Sequence, residues 1–356
     1  MPSPKDTPVN TSLPEPDQTL MYAESGESAQ VLERQLKDND ALVTELAQRL
    51  IRTPPRVIVT CARGSSDHAA TYAKYALETQ LGIVTASSSL SVGSVYASPL
   101  DMRDTLFVAI SQSGKSPDLL RNVEVARAGG ALVVALVNDT ASPLAGMADV
   151  AIGLQAGPER SVAATKSYLS TLTCVLHLIA RWKNDAHLLD ALQALPDAMR
   201  AASTQDWSAL VEGLAYARNL FVLGRGFGLG AAQEAALKFK ETCGLHAEAF
   251  SSAEVKHGPM ALIGRGFPVL AFGQDDGTLP GTLAVMKGFR DRGARVWCAA
   301  PGSEADIALP IVAAPHPICA PILAVQSFYR AANALSLRRG HHPDLPPHLN
   351  KVTETV

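Results

Sequence analysis

Apolar residues along this chain switch repeatedly between two rhythms. From residue 21 to 52 they recur at mixed spacings of three and four, the period of one helical face, and Pro54-Pro55 ends the run. Residues 56–78 then read as strand, glycine-containing turn and helix. Short apolar runs at 106–110, 132–137 and 150–154 predict further strands, with helical stretches at 117–128 and 167–183 between them. The longest apolar run, 169–180, is broken by Thr, Cys and His and is too short to cross a bilayer, so a buried helix is expected. Strands alternating with helices predict a parallel α/β architecture.

The pattern then repeats. Residues 56–79 align without gaps onto 218–241, placing Arg63-Gly64 on Arg225-Gly226 and Ala69-Ala70 on Ala231-Ala232. Residues 106–114 are echoed by 269–277, and 129–137 by 292–300. An internal duplication is the reading, with a polar helical connector over 185–206. The boundaries expected are a mobile N-terminal tail (1–20), a helical segment (21–52), two α/β domains (53–190 and 191–340) and a C-terminal tail (341–356).

Composition narrows the class. The chain has 356 residues, 47% of them hydrophobic, and a formal charge of -3. That balance gives no sign of a nucleic-acid partner, and no segment suits a membrane. The N-terminus is polar and proline-rich, without a signal-peptide core. Cys61, Cys174, Cys243, Cys298 and Cys319 are scattered, without a C-x-x-C pair, and read as buried reduced thiols of a cytoplasmic protein rather than a metal site.

Three predicted strand-to-helix turns carry small and hydroxyl residues: 63–66, 111–116 and 163–167. Helix N-termini at the carboxyl ends of parallel strands offer free N–H groups to a phosphate. The hydroxyls of Ser111, Ser113, Ser116 and Thr165 add donors. The spacing suits a monophosphate, and Gly114-Lys115-Ser116 lacks the preceding residues of a P-loop. Serine and threonine also cap helices without any ligand, and each residue alone fits that role equally well.

Residues 231–260 carry the titratable groups. Glu234, Lys238 and Glu241 fall at i, i+4 and i+7 of a helical face, and Glu248, Glu254, Lys256 and His257 follow as a second cluster. Glu241 is the candidate base for moving a proton between adjacent carbons. Glu234 and Lys238 would bind sugar hydroxyls or orient it, although spacing alone favours a weak surface ion pair. His257, before Gly258-Pro259, suits ring opening. Lys351 stands in a proline-rich tail, where docking over the site would let its amine meet an open-chain carbonyl. His341-His342 reads as a solvent-facing loop.

These residues resemble the sugar isomerase (SIS) domain family, and more closely the isomerase half of glutamine–fructose-6-phosphate aminotransferases. The resemblance runs from about residue 20 to 356 through Arg63-Gly64-Ser65-Ser66, Ser111-Gln112-Ser113-Gly114, Val162-Ala163-Ala164-Thr165-Lys166, Glu234 to Glu241, His246-Ala247-Glu248, Lys256-His257-Gly258-Pro259 and Leu349-Asn350-Lys351. It implies two tandem SIS domains, each a parallel five-stranded sheet between helices. It implies a phosphosugar site of Ser66, Ser111, Gln112, Ser113, Ser116, Ala163, Ala164 and Thr165, with Glu234 and Lys238 in support. Glu241 takes the place of the isomerisation base, Lys351 that of the tail lysine, and His257 that of a ring-opening histidine supplied across a homodimer. No metal or cofactor is implied. Pro2 follows Met1 and no cysteine precedes Cys61, so glutamine hydrolysis is not expected of this chain. Ala164 stands where the aminotransferases usually have serine, and residues 159–168 are similar to stand-alone SIS-type glucosamine-6-phosphate deaminases. The expectation is a deaminase taking a phosphorylated amino sugar to a ketose phosphate. A deglycase, a galactosamine-type deaminase, an ammonia-dependent synthase and a non-catalytic sugar-phosphate sensor are the alternatives.

Overall fold

The computed structural model describes residues 13–351 except Asp306; residues 1–12 and 352–356, the outer parts of the two expected tails, lie outside the described residues. Among the described residues, ten strands form two parallel five-stranded sheets. The first contains β1 (Val57–Cys61), β2 (Thr85–Ser87), β3 (Thr105–Ser111), β4 (Leu132–Val137) and β5 (Val150–Gly153), in the order β2-β1-β3-β4-β5. The second contains β6 (Asn219–Gly224), β7 (His246–Ser251), β8 (Pro268–Phe272), β9 (Arg295–Ala299) and β10 (Ile307–Ala308), in the order β10-β9-β8-β6-β7. Read from β7, the second order is the first one repeated. The duplication seen in the sequence is therefore a duplication of topology.

The central strands of each sheet are buried on both faces and are therefore nearly all apolar. In β3, Leu106, Val108 and Ile110 face one core, while Phe107 and Ala109 face another with Leu119, Val123 and Ala126 of the helix Pro117–Ala128. In the second sheet, Val222, Leu270 and Trp297 face the first of these cores, and Phe221, Val269 and Val296 face a third with Val285 and Phe289 of the helix Leu279–Asp291. The inner faces of both sheets thus share one continuous core. Six long helices pack into it: Ser28–Arg52, Ser65–Leu81, Lys166–Lys183, Ala186–Ala202, Gly228–Cys243 and Ala320–Arg338. The apolar run at 169–180 lies in the Lys166–Lys183 helix and is buried along its whole length. Each leucine or isoleucine there contributes about 1.5–3 kcal/mol on burial.

The helices Ser65–Leu81 and Gly228–Cys243, equivalents in the two copies, pack directly on one another. Gly230 permits this approach, because a Cβ there would come within 2.7 Å of the His68 carbonyl oxygen and 3.0 Å of the Tyr72 Cβ. This contact fixes the position of the second copy's acidic helix against the first copy's loops.

The helix that carries Glu241 ends at Cys243, Gly244 turns the chain at φ 55°, and His246–Ser251 pairs in parallel with β6. Glu248, Glu254, Lys256 and His257 are therefore exposed on an edge strand and its following turns, off the Glu241 face. Part of the expected mobile tail is tied down, since Thr19 donates to Asn333 at 2.7 Å and the Asn333 amide donates to the Pro16 carbonyl at 2.8 Å. His341 and His342 are half-buried rather than solvent-facing; the His341 ring leaves no room for a side chain at Gly244.

Candidate active site

A cavity of about 330 Å³ opens at the carboxyl ends of β1 and β3, the switch point of the first sheet, where α/β folds bind ligands. Arg63, Gly64, Ser65 and Ser66 line it from the turn after β1, and Ser111, Gln112, Ser113 and Ser116 from the turn after β3. Val162 and Ala164 line it from the loop after β5, Glu241 from the second copy, and Leu349, Asn350 and Lys351 from the C-terminal segment. Five stretches, from Arg63 to Lys351, meet in one small space.

Local backbone chemistry shapes the loops. Gly64 is at φ 55° and opens the helix Ser65–Leu81. Gly114, at φ 64°, packs so tightly on Ser142 that a Cβ would clash at 2.2 Å. The Ser111 hydroxyl accepts the Gly114 N–H at 2.9 Å, which closes the turn and leaves its own hydrogen free to donate. Ser116 is the N-cap of the helix Pro117–Ala128, yet its side chain makes no capping bond. Thr165 is likewise an N-cap without a side-chain bond, and its hydroxyl is buried without a partner. Capping does not account for these two residues.

Beneath the cavity lies a charged relay. The Lys238 ammonium lies 2.8 Å from Glu241, 3.2 Å from Glu234 and 2.9 Å from the Ser65 hydroxyl. Glu234 and Lys238 have no exposed side-chain surface, and Glu241 retains 21%. Glu234 also accepts from the Tyr329 hydroxyl at 3.0 Å and the Ser65 hydroxyl at 3.3 Å, and lies 3.3 Å from His68 Nδ1. Burial pushes the Glu234 carboxyl up, but Lys238, His68 and Ser65 outweigh it and hold it at about 2. Burial pulls Lys238 down, and the two carboxylates more than reverse that. The pair is therefore ionised and is not the weak surface pair that spacing alone allows. Its burial also leaves Glu234 and Lys238 out of the cavity lining, so the geometry admits the orienting role and not contact with sugar hydroxyls.

A second buried carboxylate, Glu159, organises the loop after β5. It accepts the N–H groups of Thr165 and Ser167 at 3.0 and 3.1 Å and the Ser167 hydroxyl at 2.6 Å. Lys351 Nζ lies 3.3 Å from it and donates to the Ser161 carbonyl at 2.7 Å. Burial raises the Glu159 carboxyl, but Lys351 and these hydrogen bonds bring it below its ordinary value. Glu24, from the helix Leu20–Gly26, accepts the N–H groups of Arg160 and Ser161. Asp344 binds the first N–H groups of that same helix at 2.8 and 2.7 Å. The N-terminal helix, the loop and the C-terminal segment thus hold one another.

Of the residues expected at the site, Ser66, Ser111, Gln112, Ser113, Ser116, Ala164, Glu241 and Lys351 line the cavity. Ala163 and Thr165 are buried behind Ala164. His257 is exposed on the turn after β7 and does not line the cavity of its own chain. His68, Glu159 and Tyr329 lie outside the expected site residues, and Arg63, Ser65 and Asn350 belong to expected turns or motifs without an individual role there. Glu159 lies in the run that resembles the deaminases, and Arg63 in a marker motif, so both carried a signal; nothing in the local sequence marks His68 or Tyr329. Among the described residues, no group of three or more His, Cys, Asp or Glu is placed to hold a metal ion. All five cysteines are free and buried. No helix among those residues is long and apolar enough to cross a membrane.

The SIS domain pattern matches the chain twice, over residues 51–181 and 213–337. The chain belongs to the SIS domain family. This SIS chain is 32% identical over 358 aligned positions to the isomerizing glutamine–fructose-6-phosphate aminotransferase of Sulfurisphaera tokodaii, covering 98% of the chain and 58% of that protein. It is 35% identical to the corresponding Symbiobacterium thermophilum protein, covering 83% and 51%. The chain thus spans about half the length of the curated relatives it matches, and it is homologous to their isomerase part. A crystal structure described as a phosphosugar isomerase from Silicibacter pomeroyi superposes with a TM-score of 0.88 at 41% identity, covering 92% of this chain and all of that one. A Thermotoga maritima glucosamine-6-phosphate deaminase shares the fold, with a TM-score of 0.75 at 20% identity, covering 95% and 100%. The expected tandem SIS architecture is borne out.

Proposed function

We propose that this SIS protein is an isomerising deaminase of glucosamine 6-phosphate, releasing fructose 6-phosphate and ammonia. The observation that carries the reading is the single cavity in which the hydroxyl loops of the first copy, Glu241 of the second copy and Lys351 of the tail converge. The phosphate binds Ser66, Ser111, Gln112, Ser113 and Ser116, with the 163–165 loop beside the sugar. His257, supplied by the partner subunit of a homodimer, moves a proton from O1 to O5 and opens the ring. The Glu241 carboxylate takes the C2 proton, activated by the neighbouring C1 carbonyl, and a proton reaches O1 to give the enaminol. Glu241 returns its proton to C1, leaving a C2 imine. Water adds at C2, nitrogen takes the protons, and ammonia departs from the ketose. Lys351 is close enough to the cavity to leave Glu159 and pair with O1 during the transfer. A phosphorylated intracellular substrate and five buried free thiols suit the cytoplasm.

A second reading, a phosphosugar aldose–ketose isomerase without ammonia release, is favoured by the likeness to the Silicibacter pomeroyi protein. One assay separates the two. Purified protein with glucosamine 6-phosphate should yield ammonia and fructose 6-phosphate in equal amounts. Turnover of a neutral ketose phosphate without ammonia from any amino-sugar phosphate would establish the second reading. Silence on all phosphosugars despite tight binding would mark a sensor. For the shared site, Glu241→Gln and His257→Ala chains should regain activity when mixed as subunits; failure of a dimeric mixture to do so would remove His257 from the mechanism.

A further inference from the structure

We infer that Arg63 is a phosphate-binding and specificity residue of this cavity, preorganised by Asp118. The inference rests on the proposed reading that the cavity takes a phosphorylated sugar. Arg63 follows β1 and lines the cavity beside Gly64, Ser66, Ser111, Gln112, Ser113 and Ser116. Its Nε donates to Asp118 Oδ2 at 2.9 Å and one terminal nitrogen lies 2.7 Å from the same oxygen. Asp118 is fully buried, in the first turn of the helix Pro117–Ala128, and its other oxygen accepts the Leu119 N–H at 2.8 Å. A guanidinium has five N–H donors in a planar fork. Two face Asp118, leaving three on a side chain that is 52% exposed at the cavity.

The other cations nearby are already engaged. Lys351 is held by Glu159 and the Ser161 carbonyl, and Lys115 pairs with Asp139 at 3.3 Å without lining the cavity. The hydroxyls and amides of the two loops solvate an anion but do not neutralise it. A phosphate dianion set among them requires a cation, and Arg63 is the one whose position does not depend on the tail. Fixing the fork on a buried carboxylate removes rotamer freedom before the ligand arrives, which preserves binding free energy. The bidentate geometry also favours a phosphate over a neutral hydroxymethyl group at that end of the sugar.

Titration calorimetry at one salt concentration tests this with inorganic phosphate, fructose 6-phosphate and fructose. Arg63→Gln should bind fructose 6-phosphate about 30-fold more weakly, which corresponds to about 2 kcal/mol, and lose phosphate similarly. Arg63→Lys should recover part of that loss. Asp118→Asn, which keeps the side-chain shape but removes the charge that fixes the fork, should lose several-fold. Binding of both phosphates by Arg63→Gln within twofold of wild type, with only the melting temperature lowered, would show that Arg63 merely neutralises Asp118 and would overturn the inference alone. Wild type that binds neither phosphate nor fructose 6-phosphate would overturn the phosphosugar reading and this inference together.

Discussion

The two copies have the same strand order but opposite chemistry at the same place. In the first copy Phe107 pairs with Val59, and in the second Val269 pairs with Phe221, so both members of the pair are displaced by the same 162 positions. This register places Gln112 on Gln274, one residue away from the match that the short sequence echo suggested. Ser111 then corresponds to Gly273, Ser113 to Asp275, Ser116 to Thr278 and Asp118 to Pro280. The second loop has lost two hydroxyls, gained two carboxylates (Asp275 and Asp276) and satisfied itself: the Gln274 amide donates to the Arg225 carbonyl, Asp276 and Thr278. On the packed helices the asymmetry runs the other way, with Tyr72, Ala76 and Thr79 in the first copy where the second has Glu234, Lys238 and Glu241. One copy carries the hydroxyl loops and the other the Glu234, Lys238 and Glu241 set, and the close helix contact at Gly230 brings them together.

The sharpest test of this division is Glu241→Gln. Turnover of glucosamine 6-phosphate should fall about 10³-fold, the scale of a general acid–base group, while fructose 6-phosphate affinity stays within about threefold by calorimetry. Comparable losses in both would mean that the halves do not divide the work. Next, Ser113→Asp gives the first loop the second copy's residue. Repulsion of a phosphate should weaken fructose 6-phosphate binding about 100-fold, in keeping with the several-kcal/mol cost of apposed like charges; unchanged binding would place the phosphate elsewhere.

Glu159→Gln probes the carboxylate that holds the loop and Lys351. Its folded pKa lies below the ordinary 4.5, so ionised Glu159 stabilises the fold above about that pH and the contribution is lost as pH falls through the lowered value. Urea unfolding should show a deficit of about 2 kcal/mol between pH 6 and 8, shrinking below pH 4.5. A deficit independent of pH would assign the effect to packing. The smallest effect is expected for Tyr329→Phe, which removes a donor to Glu234 from outside both loops. The variant should lose about threefold in kcat with KM unchanged, roughly the size of one modest hydrogen bond; a change in KM alone would remove Tyr329 from the relay.

Much of the fold was legible because its signals are local. The strands at 132–137 and 150–153 and the helices at 117–128 and 166–183 announce themselves by period, length and proline or glycine boundaries. The edge strands Thr85–Ser87 and His246–Ser251 did not, since each pairs with one neighbour and carries polar residues that no alternation distinguishes from a loop. The hydroxyl turns were visible for the same local reason. The relay was not: Ser65 to Lys238 and Tyr329 to Glu234 join residues 173 and 95 positions apart.

By itself, the sequence determined the two-copy α/β plan, the hydroxyl loops and the helical spacing of Glu234, Lys238 and Glu241, because backbone period and turn chemistry act over a few residues. Only the tertiary structure decided that Glu234 and Lys238 are buried beneath the cavity, that Arg63 is fixed on Asp118, that Lys351 rests on Glu159 and that His257 lies away from its own chain's cavity. The physical reason is desolvation. Whether an ion pair is a weak surface contact or a strong organising one depends on what is packed around it, and that is supplied by the rest of the chain.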